Sequence, residues 1–168
     1  METVFLQGNP MHLVGELPVA GSIAPDFTLT ADDLSDIRLI DFNGKRVVLN
    51  IFPSIDTDVC AASVRHFNQD VASYKNTEVL CVSMDLPFAA KRFCTVNDID
   101  HVRTASAYRS DFGDTYGVEI ADGPMRGLLA RAVVVIDTDG RVLGTSLSQE
   151  ITKEPDYEFV KKLLSENA

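Results

Sequence analysis

Apolar and polar positions along this chain alternate between three patterns: a period of two, unbroken apolar runs, and helical spacing. Residues 3–14 alternate about Gln7-Gly8-Asn9-Pro10, which predicts a short N-terminal hairpin. A Gly- and Pro-containing loop over 21–25 precedes a short extended piece at 27–30. Asn43-Gly44 marks a turn before residues 46–52, an apolar run suited to a buried central strand. Between 58 and 74, Cys60, Val64, Phe67, Val71 and Tyr74 recur at steps of three or four, on one face of a helix. A second apolar strand follows at 77–84. Pro87 then suits the first turn of a helix carrying Phe88, Lys91 and Cys94. A short strand at 102–105 and a helical turn at 111–116, ended by Gly117, lead to the second long apolar run, 128–136. Asp137-Thr138-Asp139-Gly140 turns that run back into a strand at 141–146. Glu154-Pro155-Asp156 is an acidic start for a C-terminal helix within 152–164.

The order β-α-β-α-β, then a hairpin and a helix, describes an α/β protein with mixed strand directions, and a thioredoxin-like fold fits it. The 168 residues predict one domain, 1–168. Hydrophobic content of 45% and a mean hydropathy of +0.03 are those of an ordinary globular chain. A net charge of −10, with Lys and Arg scattered, argues against nucleic acid and anionic membrane surfaces as partners. The apolar runs are strand-length, too short to span a bilayer. No basic segment followed by an apolar one opens the chain, so the expected location is cytoplasmic.

Three cysteines and no export signal argue against a disulfide framework and leave reactive or buried thiols. Cys60 follows an apolar strand, Pro53 and a short loop, where a helix should begin. A helix N-terminus offers unpaired N–H groups and partial positive charge, and a thiol placed there ionises more easily. The Thr57 hydroxyl is placed to cap that helix and reach the sulfur, and Pro53 to shield the pocket. Asp56 and Asp58 oppose a thiolate. The alternative is that Cys60 simply packs the start of an amphipathic helix. Cys94, in Lys91-Arg92-Phe93-Cys94-Thr95, reads either as a half-buried helix residue or as a second reactive thiol beside two cations. Cys81, among Val79, Leu80 and Val82, reads as structural core. A metal site is not expected: His12, His66 and His101 are scattered and no Cys-x-x-Cys occurs. Its absence also argues against a thioredoxin-type dithiol. The Asp137–Gly140 turn lacks the Glu that would complete a calcium loop.

Pro53-x-x-x-Thr57-x-x-Cys60, with Arg131 far downstream in an apolar run, resembles the active-site signature of the peroxiredoxins. Further segments resemble the bacterial thiol peroxidase subfamily: Phe5-Leu6-Gln7-Gly8-Asn9-Pro10, Asn50-Ile51-Phe52-Pro53-Ser54-Ile55-Asp56-Thr57, Asp85-Leu86-Pro87-Phe88-Ala89 with Arg92-Phe93-Cys94, and Ile120-Ala121-Asp122-Gly123-Pro124. The resemblance spans nearly the whole chain. It implies a thioredoxin fold with an N-terminal hairpin, a homodimer, no cofactor, and thioredoxin as reductant. It also implies that Cys60 attacks hydrogen peroxide or an organic hydroperoxide and that Cys94 resolves the product as an intrachain disulfide. Asp58 stands where many relatives carry a small residue.

Ionisation alone does not account for such a reaction. A thiol of pKa ~8.5 is roughly 3% ionised at pH 7. Lowering a thiol to pKa ~6 would gain about thirtyfold in thiolate. A Brønsted slope of ~0.4–0.5 takes back about tenfold in nucleophilicity. The remainder has to come from donors to the peroxide oxygens: Thr57, backbone N–H groups near Cys60, and Arg131. Arg131 otherwise reads as a strand-end arginine paired with a surface carboxylate. Phe52, Ile55, Leu86, Phe88 and Phe93 form either an apolar mouth for alkyl hydroperoxides or plain core. The two thiols, on different helices, are expected not to touch when reduced. Two other functions compete: a general disulfide reductase or isomerase, and a non-enzymatic redox sensor.

Overall fold

Strands β1 (Thr3–Leu6) and β2 (Asn9–His12) pair antiparallel about Gln7 and Gly8, whose φ angles of 50° and 83° are those of a two-residue hairpin turn. The computed structural model describes residues 2–167 and carries this hairpin beside a seven-stranded mixed sheet. The sheet contains β3 (Thr28–Thr30), β4 (Asp36–Arg38), β5 (Arg46–Ile51), β6 (Thr77–Ser83), β7 (Arg103–Ser106), β8 (Ala132–Ile136) and β9 (Val142–Leu147). Their order is β4-β3-β7-β6-β5-β8-β9. β5 runs parallel to β6 and antiparallel to β8, so it is enclosed on both edges and both faces. That position explains why its sequence is nearly all apolar rather than alternating.

Period-two geometry divides the central strands between two layers. Val47, Leu49 and Ile51 of β5, with Ala132, Val134 and Ile136 of β8, join one core with Phe27, Phe112 and Tyr116. Val48, Val133 and Val135 face the other way and pack on Phe52, Cys60, Val64, Phe67, Val160 and Leu164. A third, smaller core joins the hairpin to the main body through Val4, Met11, Leu13, Ile120, Ala130 and Ile151.

The helices are α1 (Asp58–His66), α2 (Pro87–Val96), the single turn α3 (Phe112–Thr115) and α4 (Tyr157–Glu166). Gly117 closes α3 at φ 70°, where a Cβ would collide with the Glu16 backbone.

Three boundaries and two short elements differ from the sequence expectation. The helical spacing over 58–74 is not one α-helix: α1 ends at His66 and continues as a π-helical turn, Phe67–Val71, with Ala72 N–H donating to the Phe67 carbonyl at 2.9 Å. Cys60, Val64, Phe67 and Val71 nevertheless share the buried side. α4 starts at Tyr157 rather than 152, because the Asp156 side chain caps it by accepting the Phe159 N–H. β8 begins only at Ala132, so Arg131 stands just outside it. The edge strand β4 and the 3-10 turn Leu39–Phe42 were not marked by the pattern; in β4 only Ile37 is buried. Among the described residues no helix is long and apolar enough to cross a membrane.

Candidate active site

The strand-to-helix passage after β5 builds the site. Phe52 N–H still donates to the Val82 carbonyl at 3.0 Å; Pro53, with no N–H, ends the ladder. The chain turns through Ser54-Ile55-Asp56, and Thr57 takes the extended conformation of a helix N-cap residue. The Thr57 carbonyl accepts the Ala61 N–H at 2.9 Å. Its hydroxyl, however, donates to the Ser54 carbonyl at 3.0 Å. It neither caps α1 nor reaches the sulfur, contrary to the sequence expectation. The hydroxyl tightens the turn that precedes the helix.

Cys60 is the third residue of α1 and has 0% exposure. Arg131 is also buried, at 2% exposure. Its Nη2 donates to Cys60 Sγ at 3.2 Å, and its Nε donates to the Ile151 carbonyl at 2.9 Å. Its Nη1 is buried without a partner among the described residues. The alternative reading of Arg131 as a strand-end residue paired with a surface carboxylate therefore does not hold. A buried guanidinium facing a sulfur makes its strongest hydrogen bond when that sulfur is anionic.

Arg131, Pro53, Thr57, Asp58 and Val59 line a pocket of about 150 Å³ together with Leu6, Met125, Ile151 and Thr152. The apolar wall therefore comes from the hairpin and two loops, not from Phe52, Ile55, Leu86, Phe88 and Phe93, for which the sequence left mouth or core open. Phe52 and Ile55 are core, and Phe93 packs against that core. Leu86 and Phe88 lie exposed at the start of α2. A wider groove of about 490 Å³ beside Phe27, Thr30 and Arg109 contains no thiol.

None of the three cysteines lines this pocket, which meets Cys60 only through Arg131, and all three are free thiols. Cys94 is half-buried on α2, beside a pocket of about 110 Å³ shared with Asp32, Val102 and Thr104. Burial first, and the Asp32 carboxylate second, push its thiol up to about 11, against a lowering hydrogen bond with Thr104. The charge acting on it is thus an acid, not Lys91 or Arg92. Cys81 lies on β6 opposite Asn50, whose Nδ2 donates to its sulfur at 3.7 Å. Burial pushes that thiol up to about 12, as expected of a core residue.

Two supports were not marked in the sequence. Asp85, after β6, accepts Ser54 Oγ at 2.8 Å, Ile55 N–H at 2.7 Å and Ser83 Oγ at 2.6 Å. One carboxylate thus ties the loop before Thr57 to the segment that leads into α2. Beneath α1, Ser63 Oγ donates to the Cys60 carbonyl at 2.7 Å and accepts from Asn50 Nδ2 at 3.2 Å. An Asp before Leu-Pro and an Asn in an apolar strand were the only hints available. Among the described residues, no group of three or more His, Cys, Asp or Glu could hold a metal ion.

The chain is similar to known proteins over nearly its whole length. The Redoxin family model matches residues 19–161. The thiol peroxidase of Mycobacterium tuberculosis is 58% identical over 158 residues, covering 94% of this chain and 95% of its own. That of Corynebacterium glutamicum is 48% identical over 158 residues, covering 94% and 96%. The crystal structure of a peroxiredoxin-like protein from Aquifex aeolicus matches with TM-score 0.94 at 38% identity, over 100% of this chain and 98% of that one. Such agreement over nearly the whole length means that the chain belongs to the Redoxin family, in the thiol peroxidase branch of the peroxiredoxins.

Proposed function

We propose that Cys60 reduces hydrogen peroxide and organic hydroperoxides, with Arg131 as the group that meets the peroxide. The observation that carries this reading is the guanidinium: one N–H is on the Cys60 sulfur, a second nitrogen is buried without a partner among the described residues, and Arg131 lines a pocket together with Pro53 and Thr57. The Cys60 thiolate attacks the terminal peroxide oxygen. The S–O bond forms as the O–O bond breaks, and the leaving alkoxide or hydroxide takes up a proton to give an alcohol or water. Cys60 becomes a sulfenic acid. Charge grows on the leaving oxygen, where Arg131 and N–H groups at the start of α1 can donate.

Cys94 then condenses with the sulfenic acid, releasing water and forming an intrachain disulfide. A dithiol protein of the thioredoxin class returns both sulfurs to thiols by exchange. Disulfide closure needs Cα atoms within ~7 Å. Cys60 is fully enclosed, and Cys94 is held in a separate pocket with its thiol raised to about 11. Local unwinding around Cys60, Cys94 or both therefore precedes resolution, freeing Cys94 from the burial that keeps it protonated. The working protein is a homodimer in the cytoplasm.

Mass spectrometry of the reduced protein after one equivalent of hydroperoxide tests the cycle. The expected product is a Cys60–Cys94 linkage within one chain, with Cys81 free. A stable Cys60 oxyacid with Cys94 free would make the resolving thiol external. Unmodified Cys60 would end the peroxidase reading.

A further inference from the structure

Arg131 is aimed by a carbonyl, and that carbonyl belongs to a segment held by the N-terminal hairpin. The Ile151 carbonyl accepts Arg131 Nε, while the Ile151 N–H donates to the Phe5 carbonyl of β1 at 2.8 Å. Phe5 N–H donates to the Gln149 carbonyl at 2.7 Å, so β1 continues alongside the segment after β9 as a parallel bridge at Glu150. The Glu150 carboxylate closes this junction. It accepts the two turn amides of the hairpin, Gln7 N–H at 3.1 Å and Gly8 N–H at 3.0 Å. It also accepts Thr152 N–H at 3.1 Å and Thr152 Oγ1 at 2.8 Å.

Resting on the reading of Arg131 given above, we propose that Glu150 is a positioning residue, clamping the hairpin turn to Thr152 so that the Ile151 carbonyl holds the Arg131 guanidinium on Cys60. The hairpin is then part of the active site. It contributes Leu6 to the pocket wall, and its apolar face packs Val4 and Met11 with Ile151. Side-chain and backbone hydrogen bonds from Thr152, and then the Gly8 and Gln7 amides, hold the Glu150 carboxyl down at about 2. The clamp is therefore ionised throughout the neutral range.

A clamp serving only the fold and one serving Arg131 differ in a double-mutant cycle. Peroxide oxidation of Cys60 is timed in the full-length protein carrying Glu150→Ala, Arg131→Ala or both. Melting curves accompany each variant, and Glu150→Gln serves as the isosteric control. A displacement of about 1 Å at a positioned group costs up to roughly a hundredfold. The expected result for Glu150→Ala is a loss of roughly tenfold or more when Arg131 is present and of less than about twofold when it is absent. Glu150→Gln keeps one acceptor oxygen and should recover part of the rate. Equal losses in both Arg131 backgrounds, or a wild-type rate for Glu150→Ala beside a slow Arg131→Ala, overturn the proposal and leave the peroxidase reading intact. A wild-type rate for Arg131→Ala removes the reading on which it rests.

Discussion

Replacing Arg131 by alanine should separate the chemistry of this site from its stability. The variant loses the donor on Cys60 Sγ, the unpartnered Nη1 and the bond to the Ile151 carbonyl. One preorganised donor to a developing oxyanion is worth ~10²–10³ in rate, or ~2.7–4 kcal/mol. The stability terms oppose one another. A charged hydrogen bond such as that to Ile151 contributes about 1.5–3 kcal/mol. Against it stands the cost of keeping a cation out of water, several kcal/mol per ion in a protein interior, here with one nitrogen unsatisfied. These nearly cancel, leaving a net change within about 2 kcal/mol. That corresponds to a melting shift of roughly 4–8 °C for a chain of this size. The assay is competition for hydrogen peroxide against a reference peroxidase at pH 7, paired with urea unfolding of the reduced protein. A fall of roughly a hundredfold or more in rate, with a small change in urea midpoint, is expected. Arg131→Lys should remain slow, because a point charge does not reproduce the fork that spans Ile151 and Cys60. A rate within threefold of wild type for Arg131→Ala would refute the reasoning.

Asp85→Ala releases Ser54, Ser83 and the buried Ile55 amide together. It should cost about 2–4 kcal/mol in urea unfolding and slow Cys60 oxidation, since an orphaned buried donor costs ~1–3 kcal/mol by itself; unchanged values for both would show that the loop holds its shape without the carboxylate. Resolution by Cys94 should accelerate with pH. Its thiol, at about 11 in the fold, is above the free value of ~8.5, so burial favours the neutral form. That contribution is complete below pH ~8.5 and is lost as pH rises through about 11, which eases release of Cys94 from the folded α2. Rapid-quench measurement of disulfide closure between pH 7 and 10 checks this, and a flat profile contradicts it. Cys81→Ala should leave peroxide reduction and recycling unchanged, and native Cys81 should resist iodoacetamide at neutral pH, because its thiol is buried and raised to about 12. Alkylation of Cys81 in the folded protein would show the core opening there.

Much of the site was legible because its chemistry is local. Pro53, Thr57 and Cys60 fall on one strand-to-helix passage, where proline ends a ladder and the next turn starts a helix. The apolar runs of β5 and β8 announced buried central strands because strands covered on both faces have no polar side to show. The errors fell where the decisive partner is remote. The Thr57 hydroxyl was assigned to the helix and the sulfur, yet a carbonyl three residues back takes it. Lys91 and Arg92 are nearest Cys94 in sequence, yet Asp32, remote along the chain but lining the same pocket, acts on it. The apolar residues near the thiols were candidates for either a pocket wall or core, and the sheet draws Phe52 and Ile55 inward and leaves Leu86 and Phe88 outside.

Periodicity, proline and turn residues are short-range properties, and they determined the element order, the mixed sheet and the place of Cys60 at a helix start. Tertiary structure decided everything that depends on approach across the chain. It set Arg131 on Cys60 from 71 residues away, Asp85 under the Ser54-Ile55 turn, and Glu150 against the hairpin tip 142 and 143 residues before it. Each of these is a charged group that would be solvated in an extended chain. Only the folded sheet brings it to a partner that replaces water, so no local pattern records it.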